Sequence, residues 1–302
     1  RARGMLDDEA DDAAKQIAKM IQDEGLALPP ELDTPKKLEA GIQEVFRLAR
    51  DGAEGKDWYK TAAAGVKLVS EHTGVPAKQV AQLFAIFSQA ADTVANSTFV
   101  FDAIRQYQIH GDLFSGRFPV RQSEEALKVL RGEGYEGRKR NSFYANILRH
   151  IPGMEDEYRA TIREMAEERG AEVKHPVTVD RWVVRMFSES LGDVPGSYYD
   201  TFETIMQRMA ESWGWEPEQI QAASWVAKKD EGLQAELAKG GRRTVRHQAG
   251  AGDDFSFGIN RQLEKEAEAE AQGGLFSVDK YAVSPAAKRA AQRSASAGWM
   301  RQ

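Results

Sequence analysis

Two segments of the chain combine residue types that could carry chemistry. In KHPVTVDRWVVRMFSESLG (Lys174–Gly192), a short β-type run, Val177–Val179, precedes Asp180 at the expected start of an amphipathic helix. Aspartate is a favoured N-cap because its carboxylate accepts hydrogen bonds from the amides of the first turn. The helix dipole also favours a negative charge there, so we expect an ionised, rigidly held Asp180. Such a carboxylate can stabilise a developing positive charge or activate a nucleophile; capping alone is the simpler alternative.

The second segment, GRKRNSFYANIL (Gly137–Leu148), places polar side chains on a largely apolar helix. The amide of Asn146 is both donor and acceptor, so it could read a base edge or orient Asp180. A cap or a core hydrogen bond would explain it equally well. Lys139 and Arg140 would bind phosphate if they lay beside an active site, and would otherwise be ordinary solvated charges. Tyr144 flanks Asn146 and is a candidate for contact with a substrate.

Further candidates follow Asp180 or lie near the end of the chain's helical part. Trp182 could stack on an extruded base or belong to the core. Arg181 and Arg185 are four residues apart, so both could reach phosphate from one helix face. Gln221 shares a face with a tryptophan four residues later and could read a base edge.

Three polar residues, Ser88, Gln89 and Asn96, lie at or beyond the end of a very apolar helix. A polar group in such a place must be hydrogen-bonded or exposed to water. This requirement suits either the wall of a substrate pocket or the last turn of a helix, and the sequence leaves both open.

Composition limits the classes of function. Of 302 residues, 41% are hydrophobic and 29% are charged, and there is no cysteine. No apolar run approaches the roughly 18 residues that span a bilayer, and RARGMLDDEADD lacks the apolar stretch of a secretory signal. The five histidines show no ligand spacing. We therefore expect a cytoplasmic protein with no membrane association, metal or cofactor.

The net charge of −6 does not favour nucleic-acid binding, but the charge is unevenly distributed. Residues 117–149 and 228–246 are rich in Lys and Arg, and clustered cations can bind phosphates even on an acidic chain. The sequence does not indicate an oligomeric state.

The pattern of apolar residues predicts an all-α protein. It places an exposed amphipathic helix at Asp8–Glu24, a buried helix at Pro76–Ala91, a helix at Thr98–His110 and another that begins at Ser123. From about Gly240 large apolar residues become rare, which predicts a disordered tail with a helix at Asn260–Ala271. The predicted domains are an acidic N-terminal arm (1–55), a helical body (56–232) and the tail (240–302).

The order of three motifs resembles the helix-hairpin-helix DNA glycosylase superfamily. They are GY-x-x-RKR-x-x-FYANIL, IPG at Ile151–Gly153 and VTVDRWVVRMF, within Gly134–Gly192. The resemblance implies a two-lobed helical fold with Asp180 as the catalytic carboxylate. The chain departs from the family pattern at Glu155, which replaces the hairpin's second glycine, and at Trp182, which replaces a histidine. Glu157 replaces the lysine of members with lyase activity, which implies a monofunctional enzyme.

The body also resembles a divergent, phage-associated branch of that superfamily, which acts on hypermodified bases. The similar segments begin at Trp58, Phe84, Lys139 and Glu218 and together cover roughly Lys56–Lys229. In that branch proline follows the serine of FAIFSQ, where this chain has Gln89. The resemblance implies DNA with modified pyrimidines, such as glucosylated hydroxymethyl bases, as the partner.

Three functions follow from these observations. The first is a base-flipping DNA glycosylase, with a role in antiviral defence or phage biology, in which Asp180 assists attack by water on the sugar. The second is a DNA hypermodification transferase that displaces pyrophosphate from an activated pyrimidine with an amine or amino acid. The third is a non-enzymatic helical adaptor that binds a partner through its basic face and through the isolated aromatic residues of its tail.

Overall fold

The computed structural model describes residues 7–88, 93–114, 118, 120–134, 136–192, 196–240 and 254–271. Within these residues the chain forms twelve α-helices and three short 3-10 helices, and no β-strand. The prediction of an all-α protein is confirmed. None of the described helices has the length and apolar character needed to cross a lipid bilayer.

The helices are α1 (Asp7–Asp23), α2 (Pro35–Asp51), α3 (Trp58–Thr73), α4 (Ala77–Phe87), α5 (Thr93–His110), α6 (Val120–Leu130), α7 (Arg138–Leu148), α8 (Glu155–Arg169), α9 (Arg181–Phe187), α10 (Tyr199–Trp213), α11 (Pro217–Ala238) and α12 (Asp254–Ala271).

Several predicted boundaries were wrong. α5 begins at Thr93 instead of Thr98, and α6 begins at Val120, so that Ser123 lies inside the helix and does not start it. The run Val177–Val179 closes a tight turn, in which the amide of Val179 donates to the carbonyl of Val177 at 3.0 Å, and it pairs with no strand among the described residues. Side chains bond its backbone instead, as described below.

The helices form two compact units. The first comprises Arg1–Ala64 and Gly137–Asp253, and the second comprises Gly65–Glu136 and Asp254–Gln302. The sequence-based division into arm, body and tail does not coincide with these units, because helices far apart in the sequence pack together within each of them.

α1 contributes to the core of the first unit. Its apolar residues recur at helical spacing, and the buried ones are Ala14, Ile17, Ala18 and Ile21. They join a core formed with α2, α9, α10 and α11. The predicted exposed arm is therefore a packed helix, of which the face that carries Asp8 and Glu9 is exposed.

α12 packs against α5 in the second unit. Phe255 and Ile259, one turn apart, are buried, and the ring of Phe255 lies 4.6 Å from that of Phe84 between centroids. Gly65 permits this approach, since a Cβ there would lie 2.5 Å from Cδ1 of Ile259. The helix predicted at Asn260–Ala271 is present and begins earlier, at Asp254; residues 241–253 and 272–302 of the predicted tail lie outside the described part.

Replacing Phe255 with Ala tests the packing of α12. Loss of a fully buried phenylalanine is expected to lower the free energy of unfolding by about 3 kcal/mol, because a cavity forms against Phe84. Phe257, only half-buried on the same helix, is the matched control, and Phe257→Ala should cost less than about 1 kcal/mol. If urea titrations gave equally small losses of the free energy of unfolding for both variants, the packing of Phe255 against Phe84 would be contradicted.

An ion cluster also holds α12 in the second unit. The carboxylate of Glu266 accepts hydrogen bonds of 2.8 and 2.7 Å from Nε and Nη2 of Arg105, and Nε2 of His72 lies on the same carboxylate. Burial acts to raise the pKa of Glu266, but the hydrogen bonds from Arg105 and His72 outweigh it and lower the pKa overall.

The stability that Glu266 contributes should depend on pH. Because its pKa is lower in the folded state than the roughly 4.3 of an unfolded glutamate, the contribution is fully present above that pH. It is lost as the pH falls through the folded pKa. Glu266→Gln should therefore reduce the free energy of unfolding by about 2 kcal/mol at pH 7, with a smaller difference from wild type below about pH 4.

The exposed Glu264 on the same helix provides the control. Glu264→Gln should leave the free energy of unfolding nearly unchanged at both pH values. A Glu266→Gln deficit that stays constant from pH 7 to pH 3 would show that the ion cluster does not have this role.

Candidate functional site around Asp180

The carboxylate of Asp180 is held at the start of α9, as predicted. Its Oδ1 accepts hydrogen bonds from the backbone amides of Trp182 at 2.9 Å and Val183 at 3.0 Å. The backbone of Asp180 is extended, as is typical of an N-cap. The side chain is 21% exposed, so the carboxylate is fixed yet reachable.

Lys139 lies on the other side of this carboxylate. Its Nζ is 3.6 Å from Oδ2 of Asp180, and its side chain is 29% exposed. The pair joins α7 to the start of α9, which are the two segments singled out in the sequence. A single ion pair of this exposure contributes little to stability, but it places a cation next to the free carboxylate oxygen.

A buried polar cluster lies beside Asp180 in the first unit. The hydroxyl oxygen of Tyr59 is 3.1 Å from both Oγ1 of Thr178 and Oε1 of Gln221. Because the amide oxygen of Gln221 can only accept, Tyr59 donates to Gln221 and accepts from Thr178. Burial raises the pKa of Tyr59, and the negative charge of Asp180 raises it further. The hydroxyl therefore keeps its proton.

Asn146 belongs to the same cluster. It is only 1% exposed, and its amide is close enough to the hydroxyl of Tyr59 to influence the pKa of that group. Among the described residues, however, its Nδ2 makes no hydrogen bond of good geometry. A buried amide donor without a partner is costly, so this group is available to an acceptor that enters the cluster.

Three other predicted residues lie on α9. Trp182 is 44% exposed, more than any other described tryptophan, and directly follows Arg181, which is also exposed. Arg185 is half-buried, and its Nε donates to the carbonyl of Leu191 at 3.3 Å. That bond holds the chain after α9, which ends at Phe187, earlier than the sequence suggested.

Two predicted residues of α7 are directed elsewhere. Arg140 is 4% exposed, so its guanidinium does not face solvent as a phosphate contact would. Tyr144 is 3% exposed, and its hydroxyl donates to Oε1 of Glu157 on α8 at 3.3 Å. Burial and the charge of Glu157 both raise the pKa of Tyr144.

Ser88 and Asn96 belong to the second unit. The hydroxyl of Ser88 donates to the carbonyl of Ala85 at 2.8 Å, a bond typical of the last turn of a helix. Nδ2 of Asn96 donates to the carbonyl of Phe84 at 3.0 Å and so joins α5 to α4, while its buried Oδ1 has no partner within the described part of the chain. Gln89 lies outside the described residues.

The turn between α7 and α8 corresponds to the predicted hairpin at Ile151–Gly153. Gly153 has a φ of +85°, a backbone conformation that favours glycine. Its amide donates to Oε1 of Glu155 at 3.2 Å. The carboxylate of Glu155 therefore occupies the amide of this turn, and its negative charge would repel a backbone phosphate there.

Tyr59 and Thr178 were not predicted as site residues. Tyr59 lies in a helix whose aromatic residues have the spacing of an ordinary core, and its ring packs at 5.9 Å from that of Phe143. The sequence indicated these two residues only indirectly. Asn146 and Gln221 are amides on apolar helix faces, and each needs a buried partner.

One comparison with known proteins yields a match. A protein-family model described as "Family of unknown function (DUF7178)" matches residues 31–232, which is more than half of the chain. The matched span includes every predicted site residue and ends before α12. Neither the curated proteins nor the solved structures contain a match. The chain belongs to the DUF7178 family.

Proposed function

We propose that the protein binds DNA, extrudes a modified pyrimidine nucleotide and hydrolyses its N-glycosidic bond, with Asp180 as the catalytic carboxylate. The observation that carries the proposal is the geometry of Asp180. One oxygen is fixed by two amides, and the other lies beside Lys139 and remains reachable. The glycosylase resemblance of residues 134–192 supports the same assignment.

In the proposed reaction the bond between the sugar C1′ and the base nitrogen breaks, and its electrons leave with the base. The sugar gains positive charge, which Asp180 stabilises. Water adds to C1′ and gives its proton to the carboxylate, and that proton then passes to the departing base. The products are a free base and an abasic sugar. Because these steps need no amine adduct, the enzyme is monofunctional.

The buried cluster supports recognition of a base. Extrusion of a nucleotide costs a few kcal/mol, which stacking and hydrogen bonds in the protein offset. The unpartnered Nδ2 of Asn146 suits an acceptor such as a pyrimidine carbonyl. Gln221 is held by Tyr59 and supplies a second amide. In this proposal Lys139 and Arg181 contact the phosphates near the flipped nucleotide.

Asp180→Asn should greatly slow base release while the fold is retained. Asparagine also caps helices well, so the free energy of unfolding should change by less than about 1 kcal/mol. Loss of the charge should lower the single-turnover rate by about 100- to 10,000-fold. The measurement is release of free base from phage DNA that contains glucosylated hydroxymethyl pyrimidines, followed by mass spectrometry.

The exposed carboxylate of Asp156 on α8 serves as the control for this variant. Asp156→Asn should release base at the wild-type rate, and strand cleavage should require added alkali. Undiminished release by Asp180→Asn would refute the proposed role. A base of increased mass, formed from activated DNA and an amine, would instead establish the transferase.

Trp182→Ala should weaken DNA binding. Stacking of one base on an aromatic ring contributes about 1–3 kcal/mol, so the dissociation constant for single-stranded oligonucleotides should rise about 5- to 100-fold. Leu68, 40% exposed in the second unit, is the control for loss of an exposed apolar side chain. Equal affinities of Trp182→Ala and Leu68→Ala in anisotropy titrations would exclude stacking at position 182.

A further inference from the structure

The segment before Asp180, residues 175–179, is bonded to side chains of α10. Nε2 of Gln207 donates to the carbonyl of His175 at 3.0 Å. Oε1 of Glu203 accepts from the amide of Val177 at 2.9 Å. The hydroxyl of Tyr199 donates to the carbonyl of Val177 at 2.8 Å and accepts from the amide of Val179 at 3.1 Å. The amide of Val179 also reaches the carbonyl of Val177 at 3.0 Å.

The three side chains meet the segment in reverse order along the chain. Tyr199, Glu203 and Gln207 are four residues apart and so lie on one face of α10. Gln207 bonds His175, Glu203 bonds Val177, and Tyr199 bonds both Val177 and Val179. α10 therefore runs antiparallel to the segment, which closes a tight turn where the amide of Val179 reaches the carbonyl of Val177.

Two arginines fix Glu203 in this position. Its Oε2 accepts from Nη2 of Arg138 at 3.0 Å and from Nη1 of Arg169 at 2.6 Å, and its side chain is 6% exposed. Both carboxylate oxygens of Glu203 thus accept hydrogen bonds, Oε1 from the amide of Val177 and Oε2 from the two arginines. Removal of either arginine would leave a buried charge less compensated.

Tyr199 is held equally firmly. The guanidinium of Arg138 lies over its ring, 4.0 Å from the centroid, and its hydroxyl is 3.4 Å from Oγ of Ser142 on α7. Burial raises the pKa of Tyr199 to about 12, so the hydroxyl keeps the proton that it donates. Arg138 and Ser142 flank Lys139, so the same contacts also join α10 to the helix that carries the cation beside Asp180.

We propose that Tyr199, Glu203 and Gln207 are positioning residues that fix the backbone of residues 175–179 and thereby the position of the Asp180 carboxylate. This role rests on the proposed function, since it concerns the residue that performs the reaction. None of the three side chains touches the substrate; each acts through the backbone that leads to Asp180.

Tyr199→Phe is the sharpest test, because it removes one hydroxyl and keeps the ring under Arg138. The single-turnover rate of base release should fall at least tenfold, with the half-saturating DNA concentration within twofold of wild type. Amide exchange at residues 177–183 should accelerate at least tenfold. Tyr198→Phe, the adjacent half-buried tyrosine, should leave the rate and the exchange unchanged.

A double-variant cycle separates positioning from general loss of structure. If Tyr199 acts through Asp180, Tyr199→Phe should reduce the residual rate of Asp180→Asn by less than twofold. A full tenfold loss in that background would overturn the proposal. If Tyr199→Phe does not fold, Gln207→Ala is measured in the same cycle. A rate loss of two- to fivefold is expected for it, since Gln207 bonds the segment farthest from Asp180.

The remaining outcomes distinguish the two proposals. Unchanged exchange at residues 177–183, or faster exchange with an unchanged rate, would overturn the positioning role while base release by the wild type still supported the glycosidase. A wild-type protein that releases no base would overturn the proposed function, and the positioning role with it, even if exchange accelerated as expected.

Discussion

Buried peptide groups must find hydrogen-bond partners, and the segment from His175 to Val179 finds them in side chains. Its apolar residues Val177 and Val179 are buried in the core of the first unit, where water cannot serve the backbone. α10 supplies the missing donors and acceptors, while Thr178 is bonded from the opposite side by Tyr59. The segment is consequently held from two sides, and Asp180 emerges from it in a defined position.

α9 depends on this arrangement because it is too short to be stable alone. A helix of seven residues has only a few internal hydrogen bonds, and isolated helices of that length do not persist in water. Asp180 caps its start, Arg185 bonds the carbonyl of Leu191 beyond its end, and Val183, Val184, Met186 and Phe187 bury its inner face. The position of the carboxylate thus derives from packing and caps, with little contribution from helix propensity.

The sequence predicted Asp180 as a cap and identified Asn146 as a polar residue on a largely apolar helix, because these inferences concern local chemistry. It could not identify Tyr59 as a member of the cluster, since Tyr59 and Gln221 lie far apart in the chain. Glu203 was detectable in principle: a carboxylate four residues after Tyr199, on the buried face of α10, requires cations. Of α12, the sequence predicted the part from Asn260 to Ala271 but neither its first turns nor its packing, because its composition is polar and its buried residues, such as Phe255 and Ile259, are few.

The pairing of Lys139 with Asp180 has a consequence for the proposed reaction. A partly exposed ion pair at 3.6 Å contributes less than about 1 kcal/mol, so opening it costs little. A DNA phosphate near α7 would compete for the ammonium, since phosphate is the stronger anionic partner. Transfer of Lys139 to phosphate would leave the carboxylate, still fixed by the amides of Trp182 and Val183, without a cation. The negative charge of Asp180 would therefore be available to stabilise the developing positive charge of the sugar only once DNA is bound.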